Sequence, residues 1–173
     1  GCDRPGELLC AECRSRLPWI EQRWACPDCG APFGSLACTE CAHDWESRTI
    51  VCAFPFGGTI SRLITIFKDH HERRLAPVLA AAMASSLDEA ASWPAQDGRP
   101  RFEPEGLDAI CFVPATAKAY IGRGFDHMEL VSRELAALTG IPLADVLARS
   151  SARDQRQLDR WERRENISGT IGT

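Results

Sequence analysis

The sequence predicts an α/β domain with a parallel sheet over residues 47–173, preceded by a small metal-binding module over residues 1–46. Two observations lead to this division. Six of the nine cysteines form three C-x2-C pairs, and all of these pairs precede residue 42. Beyond the module, short apolar runs alternate with helix-like patterns, which is typical of a parallel sheet with helices on its faces. A length of 173 residues suits one domain plus an appendage.

Charge and hydropathy exclude several classes of function. The net charge of -4 gives no global basic field for binding nucleic acid. No apolar run approaches the roughly 18 residues of a membrane span, so we expect no membrane insertion. No secretory signal is present, and we expect a cytoplasmic protein with reduced thiols. The chain begins at Gly1 without a methionine, so we expect further sequence upstream.

The cysteine spacing predicts zinc. The three pairs are Cys10/Cys13, Cys26/Cys29 and Cys38/Cys41. A C-x2-C turn presents two thiolates to one ion, and zinc takes four such ligands in a tetrahedron. A disulfide framework is the competing interpretation, but it suits secreted proteins better. Because all-cysteine zinc sites are closed, the predicted role of the metal is structural.

The sequence leaves the pairing of these ligands open. The second and third pairs can close one site alone, with the spacing C-x2-C-x8-C-x2-C. Cys2, Cys10 and Cys13 then need a fourth ligand, from an upstream residue or from His43. It is equally allowed that these C-x2-C pairs, here called knuckles, combine differently and share their metal ions in a crossed arrangement. The remaining cysteines, Cys52 and Cys111, have apolar neighbours and are expected to be buried as small hydrophobic residues.

The first elements of the α/β domain follow the module. Residues 50–56 form a strand-like run that Gly57 and Gly58 close. Thr59 is the predicted cap of a helix that ends near Lys68. Lys68, His70 and His71 at this helix end are predicted to complement the helix dipole. The two neighbouring histidines could suggest a metal, but adjacent residues do not share a helix face. A second helix is expected over residues 74–91, with its larger apolar side chains facing inward.

Residues 108–127 form the stretch around which the domain is organised. Residues 110–113 read as a buried strand, and residues 114–124 as a loop that carries Lys118, Arg123 and Gly124. Asp126 is a plausible cap for the next helix, over residues 126–139. A strand end, a basic loop and a helix N-terminus suit an anion site. An ordinary connection with solvated basic residues is the alternative.

The last part of the chain is less regular. Gly140 is the expected cap at the end of the preceding helix, and residues 143–147 are predicted as a short strand. Residues 149–166 carry six arginines among four acids. This segment is either a solvated helix surface or an arginine-lined edge over an anion site.

The motifs in series resemble the ComF family. They are the knuckles, Phe67-Lys68, Asp108 to Pro114, Arg123-Gly124-Phe125, Gln155 with Leu158, and Arg163 with Asn166 and Gly169. The resemblance implies a type I phosphoribosyltransferase-like sheet, with helices on both faces, behind a zinc-ribbon-like module. It also implies binding of phosphoribosyl pyrophosphate (PRPP) with magnesium, and a link to DNA uptake in natural competence, beside a helicase and single-stranded DNA.

The resemblance assigns candidate ligand residues but no catalytic ones. Lys68, Lys118, Arg123 and Gly124 are expected to face pyrophosphate, the leaving group of PRPP. The family usually reads RGFNQ, whereas here Asp126 and His127 follow the phenylalanine. The sequence lacks the two acids and the glycine-containing loop that hold the ribose phosphate in such enzymes. The expected fold is therefore an incomplete one, and the alternative function is a non-catalytic accessory role in binding DNA or a helicase.

Overall fold

A computed structural model of the chain describes residues 5–41, 47, 49–94, 98, 100–150 and 159–173. Within these residues, the helices are α1 (Ala11–Ser15), α2 (Gly58–Asp69), α3 (Ala76–Ser92), α4 (Ala117–Arg123), α5 (His127–Thr139) and α6 (Arg160–Ile167). The strands are β1 (Ala148–Arg149) and β2 (Ile171–Gly172), and short 3₁₀ helices cover Gln22–Trp24, Arg73–Leu75 and Pro104–Gly106. None of the described helices has both the length and the apolar character that a membrane span requires.

The described residues form a small antiparallel sheet and do not show the predicted parallel one. Strands β1 and β2 pair with Ala148 opposite Gly172. The parallel pairing is limited to a single bridge between Ile110 and Leu143. Ile110 donates to the Pro142 carbonyl at 2.8 Å and accepts from the Ala144 amide at 2.8 Å. Pro142 has no N–H group and cannot donate the next hydrogen bond of a parallel ladder. The segments around Ile110 and Leu143 therefore pair through this one bridge.

The hydrophobic core lies among α2, α3 and α5. Its buried members are Leu63, Phe67, Leu75, Ala76, Ala80, Phe125, Val131 and Leu135. Helix α3 contributes mainly small side chains, and Ala80 and Ala90 are completely buried. The expectation that its larger residues face inward is wrong for Met83, which is 38% exposed. Small residues let a neighbouring helix approach closely, and α5 packs along this side of α3.

The helix boundaries follow the capping residues. Helix α5 begins after Asp126 and ends at Gly140, which has a φ of 74°, as predicted. Helix α2 begins after Gly57, earlier than the predicted cap at Thr59. The predicted loop over residues 114–124 contains α4 instead. Its start is capped by the Thr116 hydroxyl, which accepts from the Ala119 amide at 3.3 Å.

A buried polar contact joins the cysteine-rich module to α3. The Gln22 backbone amide donates to the Glu89 carboxylate at 2.8 Å. The Gln22 side chain donates to the carbonyls of Ile20 and Cys52, at 2.8 and 3.0 Å. Arg101 donates to the Gln22 carbonyl from the loop that follows α3. Because these groups are shielded from water, breaking any one of them leaves a buried polar atom unpaired, which fixes the module against the helix.

Candidate metal centre and basic cluster

Four cysteines converge in the module. The Sγ atoms of Cys26, Cys29, Cys38 and Cys41 all lie within 4.8 Å of one another. Cys26 and Cys41 are 3.8 Å apart, and Cys29 and Cys38 are 3.7 Å apart. Four sulfurs placed 2.3 Å from zinc in a tetrahedron have edges of about 3.8 Å. The cluster therefore has the size and donor set to hold a metal such as zinc.

Two glycines permit the tight turns around the cluster. The Cys26 amide donates to the Ala31 carbonyl at 2.8 Å, and the Cys26 carbonyl accepts from the Gly30 amide at 3.0 Å. Gly30 has a φ of 71°, in the left-handed region that side chains disfavour. A Cβ atom on Gly34 would lie 2.7 Å from the Cys26 Cβ. Larger residues at either position would push the backbone away from the sulfurs.

The thiols of the cluster have unequal acidities. Burial raises the pKa of Cys29 to about 12 and also raises the pKa of Cys26. A hydrogen bond from the Glu40 backbone lowers the pKa of Cys38 to about 7. Metal coordination requires thiolates, so binding a metal here releases protons from the buried thiols.

The first knuckle lies apart from this cluster. Cys10 is buried, and its Sγ accepts from the Cys13 amide at 3.5 Å. Within the described residues, the four-cysteine cluster is the one group of three or more metal-type side chains that come together. Cys2 and His43, the candidate partners of Cys10 and Cys13, lie outside the described residues. A second metal set therefore stays a prediction.

The two isolated cysteines differ from each other. Cys52 is half-buried, its thiol lies 3.9 Å from the Cys29 carbonyl, and burial raises its pKa. This fits the expected role as a small hydrophobic residue beside the cluster. The same expectation is wrong for Cys111, which is exposed. Cys111 precedes Phe112 in the segment predicted as a buried strand, and one-sided cover of this segment buries Phe112 and leaves its neighbours exposed.

The turn between α4 and α5 is held by the connection between α2 and α3. The turn consists of Arg123, Gly124 and Phe125, and Gly124 has a φ of 72°. His71 Nδ1 donates to the Arg123 carbonyl at 3.0 Å. Arg73 donates to the Gly124 carbonyl at 3.4 Å, and its guanidinium lies 4.6 Å from the centre of the Phe125 ring. These contacts fix where the turn presents its basic side chain.

Lys68, Arg123 and His127 form a basic cluster beside this turn. Arg123 Nη2 lies 3.6 Å from Asp69 Oδ1. Burial lowers the pKa of His127 to about 4, and the nearby positive charges of Lys68 and Arg123 lower it further than the carboxylates of Asp126 and Asp69 raise it. Two of the predicted pyrophosphate-binding residues therefore lie close to one imidazole.

The other two predicted ligand residues have different positions. Lys118 is exposed near the start of α4, and its role stays a prediction. Gly124 ends α4, and its carbonyl accepts a hydrogen bond from Arg73. Its contribution is thus to shape the turn next to Arg123.

A cavity of about 330 Å³ lies at the end of the predicted strand. Its charged lining residues are Asp126, Glu129, Asp145 and Arg149. Three carboxylates and one guanidinium suit hydroxyl groups or cations better than a phosphate. Lys68, Lys118 and Arg123 are not part of this lining, so the cavity and the basic cluster are separate features of the same region.

The Asp126 carboxylate accepts hydrogen bonds both from the start of α5 and from the loop after the predicted strand. Its Oδ1 accepts from the amides of Met128 and Glu129, at 2.8 and 3.3 Å. Its Oδ2 accepts from the Ala115 amide, in the loop that follows the predicted strand.

Asp126→Ala removes the helix cap and unpairs a part-buried amide, so we expect the free energy of unfolding to fall by about 2–3 kcal/mol in urea denaturation. Asp126→Asn keeps an acceptor oxygen at the cap, so its free energy of unfolding should fall by less. Equal losses of stability in both variants would show that the capping oxygen does not matter.

Comparisons of the chain with protein-family models, with curated proteins and with solved structures found no match. No relative therefore assigns a role to any residue of this chain. Sequence reasoning missed the parts that His71, Arg73 and His127 play around the turn. Arg73 belongs to no motif, and its contact with Phe125 is visible only in the fold. His127 carried a usable signal, since it directly follows the predicted cap Asp126 and stands close to Arg123 in sequence.

Proposed function

We propose that this chain is part of a ComF-like protein of phosphoribosyltransferase type that binds PRPP or pyrophosphate through Lys68 and Arg123. The observation that carries the proposal is that the positive charges of both side chains act on His127, the first residue of α5, while Arg123 also pairs with Asp69. Two cations at the start of a helix attract a phosphate group through their own charge and through the helix dipole. The series of ComF-like motifs adds support, because it places both residues in the pyrophosphate half of the expected site.

Side chains rather than backbone amides supply the proposed contacts. Asp126 already accepts from the first amides of α5, so the helix end offers few free donors. Arg123 is paired with Asp69 over 3.6 Å, and the Asp69 side chain is 39% exposed. The Arg123 side chain is 16% exposed, and at 3.6 Å the two charged groups lie beyond hydrogen-bond distance. A phosphate group, with two charges and several acceptor oxygens, is a stronger partner for the guanidinium and can replace the carboxylate.

The proposed cofactors have separate roles. Zinc in the four-cysteine cluster would be structural, because four thiolates leave no open position for substrate. Magnesium would arrive with the phosphates of PRPP, as it commonly does, rather than in a cage of protein ligands. The proposal covers binding and assigns no catalytic residue.

Arg123→Ala tests the placement of the site. Losing a charge-assisted contact to a phosphate costs about 1.5–3 kcal/mol, so we expect pyrophosphate affinity to fall roughly 10- to 100-fold. Isothermal titration with magnesium pyrophosphate measures this. Arg133→Ala is the matched control, because Arg133 is exposed and pairs with Glu129 on the outside of α5. A loss of less than about twofold in Arg123→Ala, after wild-type binding is established, would place the site elsewhere.

A second candidate function is binding of single-stranded DNA beside a helicase. One observation favours it: Trp161 is 73% exposed on α6, within the arginine-rich segment 149–166. An exposed aromatic ring beside positive charge is a stacking platform for a base. Gln155, Arg156 and Leu158 lie outside the described residues.

Trp161→Ala separates this candidate from the first. Stacking contributes about 1–3 kcal/mol per base, so oligonucleotide affinity should fall roughly 5- to 100-fold in fluorescence anisotropy. Trp161→Phe keeps a ring and should bind nearly as well as the wild type. Equal binding by the alanine and phenylalanine variants would exclude a stacking role, and neither variant should alter pyrophosphate binding.

A further inference from the structure

His127 is an enclosed imidazole with an unused nitrogen. Its side chain is 16% exposed and meets the Phe67 ring edge-on, with ring centres 6.3 Å apart. Its Nδ1 is buried and has no hydrogen-bond partner in the described part of the chain. The nearest carboxylate oxygen, Asp126 Oδ1, lies 3.9 Å from that nitrogen, beyond hydrogen-bond distance. The imidazole therefore has a vacant position that a small movement could fill.

Charged groups reach this imidazole from every element packed around it. They are Lys68 and Asp69 at the end of α2, Arg123 at the end of α4, and Asp126 before α5, while His71 and Arg73 hold the adjoining turn. Burial and the two basic side chains outweigh the two carboxylates and hold the pKa of His127 near 4. Its position in the first turn of α5 disfavours positive charge as well. Without a bound anion, the imidazole is neutral at physiological pH.

We propose that a divalent oxyanion bound by Lys68 and Arg123 brings a proton onto His127 at acidic pH, so that below about pH 6.5 the site takes up a proton together with its ligand. This inference rests on the proposed function, because it concerns the same two cations. The negative charge of the ligand offsets the cations that disfavour an imidazolium. The proton comes from solvent, adds to the free ring nitrogen and returns to solvent when the ligand leaves. The imidazolium then has a second N–H to donate toward Asp126 or the anion.

The direction of the pH dependence follows from linkage. Above about pH 6.5 the imidazole is neutral with or without ligand, so His127 adds no pH dependence there. Between about pH 4 and 6.5 the bound form holds a proton that the free form lacks, so affinity rises as pH falls. If the anion returned the pKa of His127 from about 4 to its ordinary value of about 6.5, binding would be roughly 30-fold tighter at about pH 5 than at about pH 8. One dianion offsets only part of the effect that lowers the pKa of His127. We therefore expect the affinity at the lower pH to be about tenfold higher, or somewhat less.

Sulfate is the probe for this test, since it stays doubly charged across the whole range, whereas pyrophosphate itself titrates. Isothermal titration at about pH 5 and about pH 8 gives the ratio of affinities. Buffers of different ionisation enthalpy give the number of protons taken up. We expect several-fold tighter binding at the lower pH in the wild type, and a ratio several-fold smaller in His127→Gln. His70→Gln is the matched control, because His70 is exposed at the end of α2, and its ratio should match the wild type.

The outcomes separate this inference from the proposed function. Sulfate binding with the same ratio in wild type and His127→Gln overturns the proton linkage and leaves the anion site standing. No sulfate binding and no pyrophosphate binding by the wild type overturns both. If His127→Gln does not fold, imidazole resonances of the wild type can be titrated with and without sulfate. A pKa of His127 that sulfate leaves unchanged would then refute the linkage.

Discussion

Cys29→Ser is expected to remove the metal from the four-cysteine cluster and to unfold the module over residues 5–41. The Sγ of Cys29 lies 3.7 Å from that of Cys38, as two ligands of one zinc ion do. Serine offers a weaker, protonated ligand in its place. Zinc binding in small modules supplies about 10–16 kcal/mol of folding free energy, so losing one of four ligands should exceed the stability of the module itself. The loss should release the contacts of Gln22 with α3 as well.

Metal content and protease resistance measure this result. We expect at least one zinc per wild-type chain, one fewer in Cys29→Ser, and rapid cleavage within the module of the variant. Cys111→Ser is the matched control, because Cys111 is exposed and lies outside the cluster. Its metal content and cleavage pattern should equal those of the wild type. Full metal retention by Cys29→Ser would show that these four cysteines do not share one ion.

Phe67→Ala is expected to have the largest effect on the helical core. Phe67 is 2% exposed in α2, and its ring centre lies 6.2 Å from that of Phe125. Truncating a fully buried phenylalanine to alanine loses transfer free energy and leaves a cavity, at a cost of about 3–5 kcal/mol. The same ring covers His127. Water entering the cavity would reduce the burial that lowers the pKa of His127, so this pKa should rise in the variant.

Urea denaturation and an imidazole titration test the two parts of this prediction. Phe56→Ala provides the control, since Phe56 is 79% exposed and should lose less than about 0.5 kcal/mol. A loss below about 1 kcal/mol in Phe67→Ala would mean that the helices repack around the site or that Phe67 is not in their core. A large loss with an unchanged pKa of His127 would show that its cover comes from other residues.

Local chemistry explains which features could be predicted from the sequence. The spacing of each C-x2-C turn predicts a pair of metal ligands within a few residues, whereas the structure shows that the second and third pairs come together. The limits of α5 follow from Asp126 and Gly140, whose capping chemistry is equally local. Helix α4 had the same kind of signal, because Thr116 precedes and Gly124 ends a run of good helix formers. The nearby glycines and basic residues instead suggested a loop.

Contacts between distant parts of the chain could not be predicted in the same way. Residues 110–113 have the composition of a strand, yet a strand also needs a partner, and within the described parts of the chain Leu143 provides a single bridge. The buried side of α3 is set by how closely α5 approaches, which favours alanine over the larger side chains that hydropathy selects. The position of Arg123 beside His127 depends on how His71 and Arg73 hold the turn. No sequence motif around His71 or Arg73 predicts these contacts.

Native mass spectrometry of the chain, with and without pyrophosphate, tests the metal centre and the anion site in one experiment. One spectrum reports the metal content and the bound anion together. We expect at least one zinc per chain in both conditions, and one pyrophosphate more when the ligand is present. The added mass should disappear in Arg123→Ala and persist in Arg133→Ala. A chain that carries no zinc, or that carries zinc but acquires no pyrophosphate, would contradict the metal centre or the anion site, respectively.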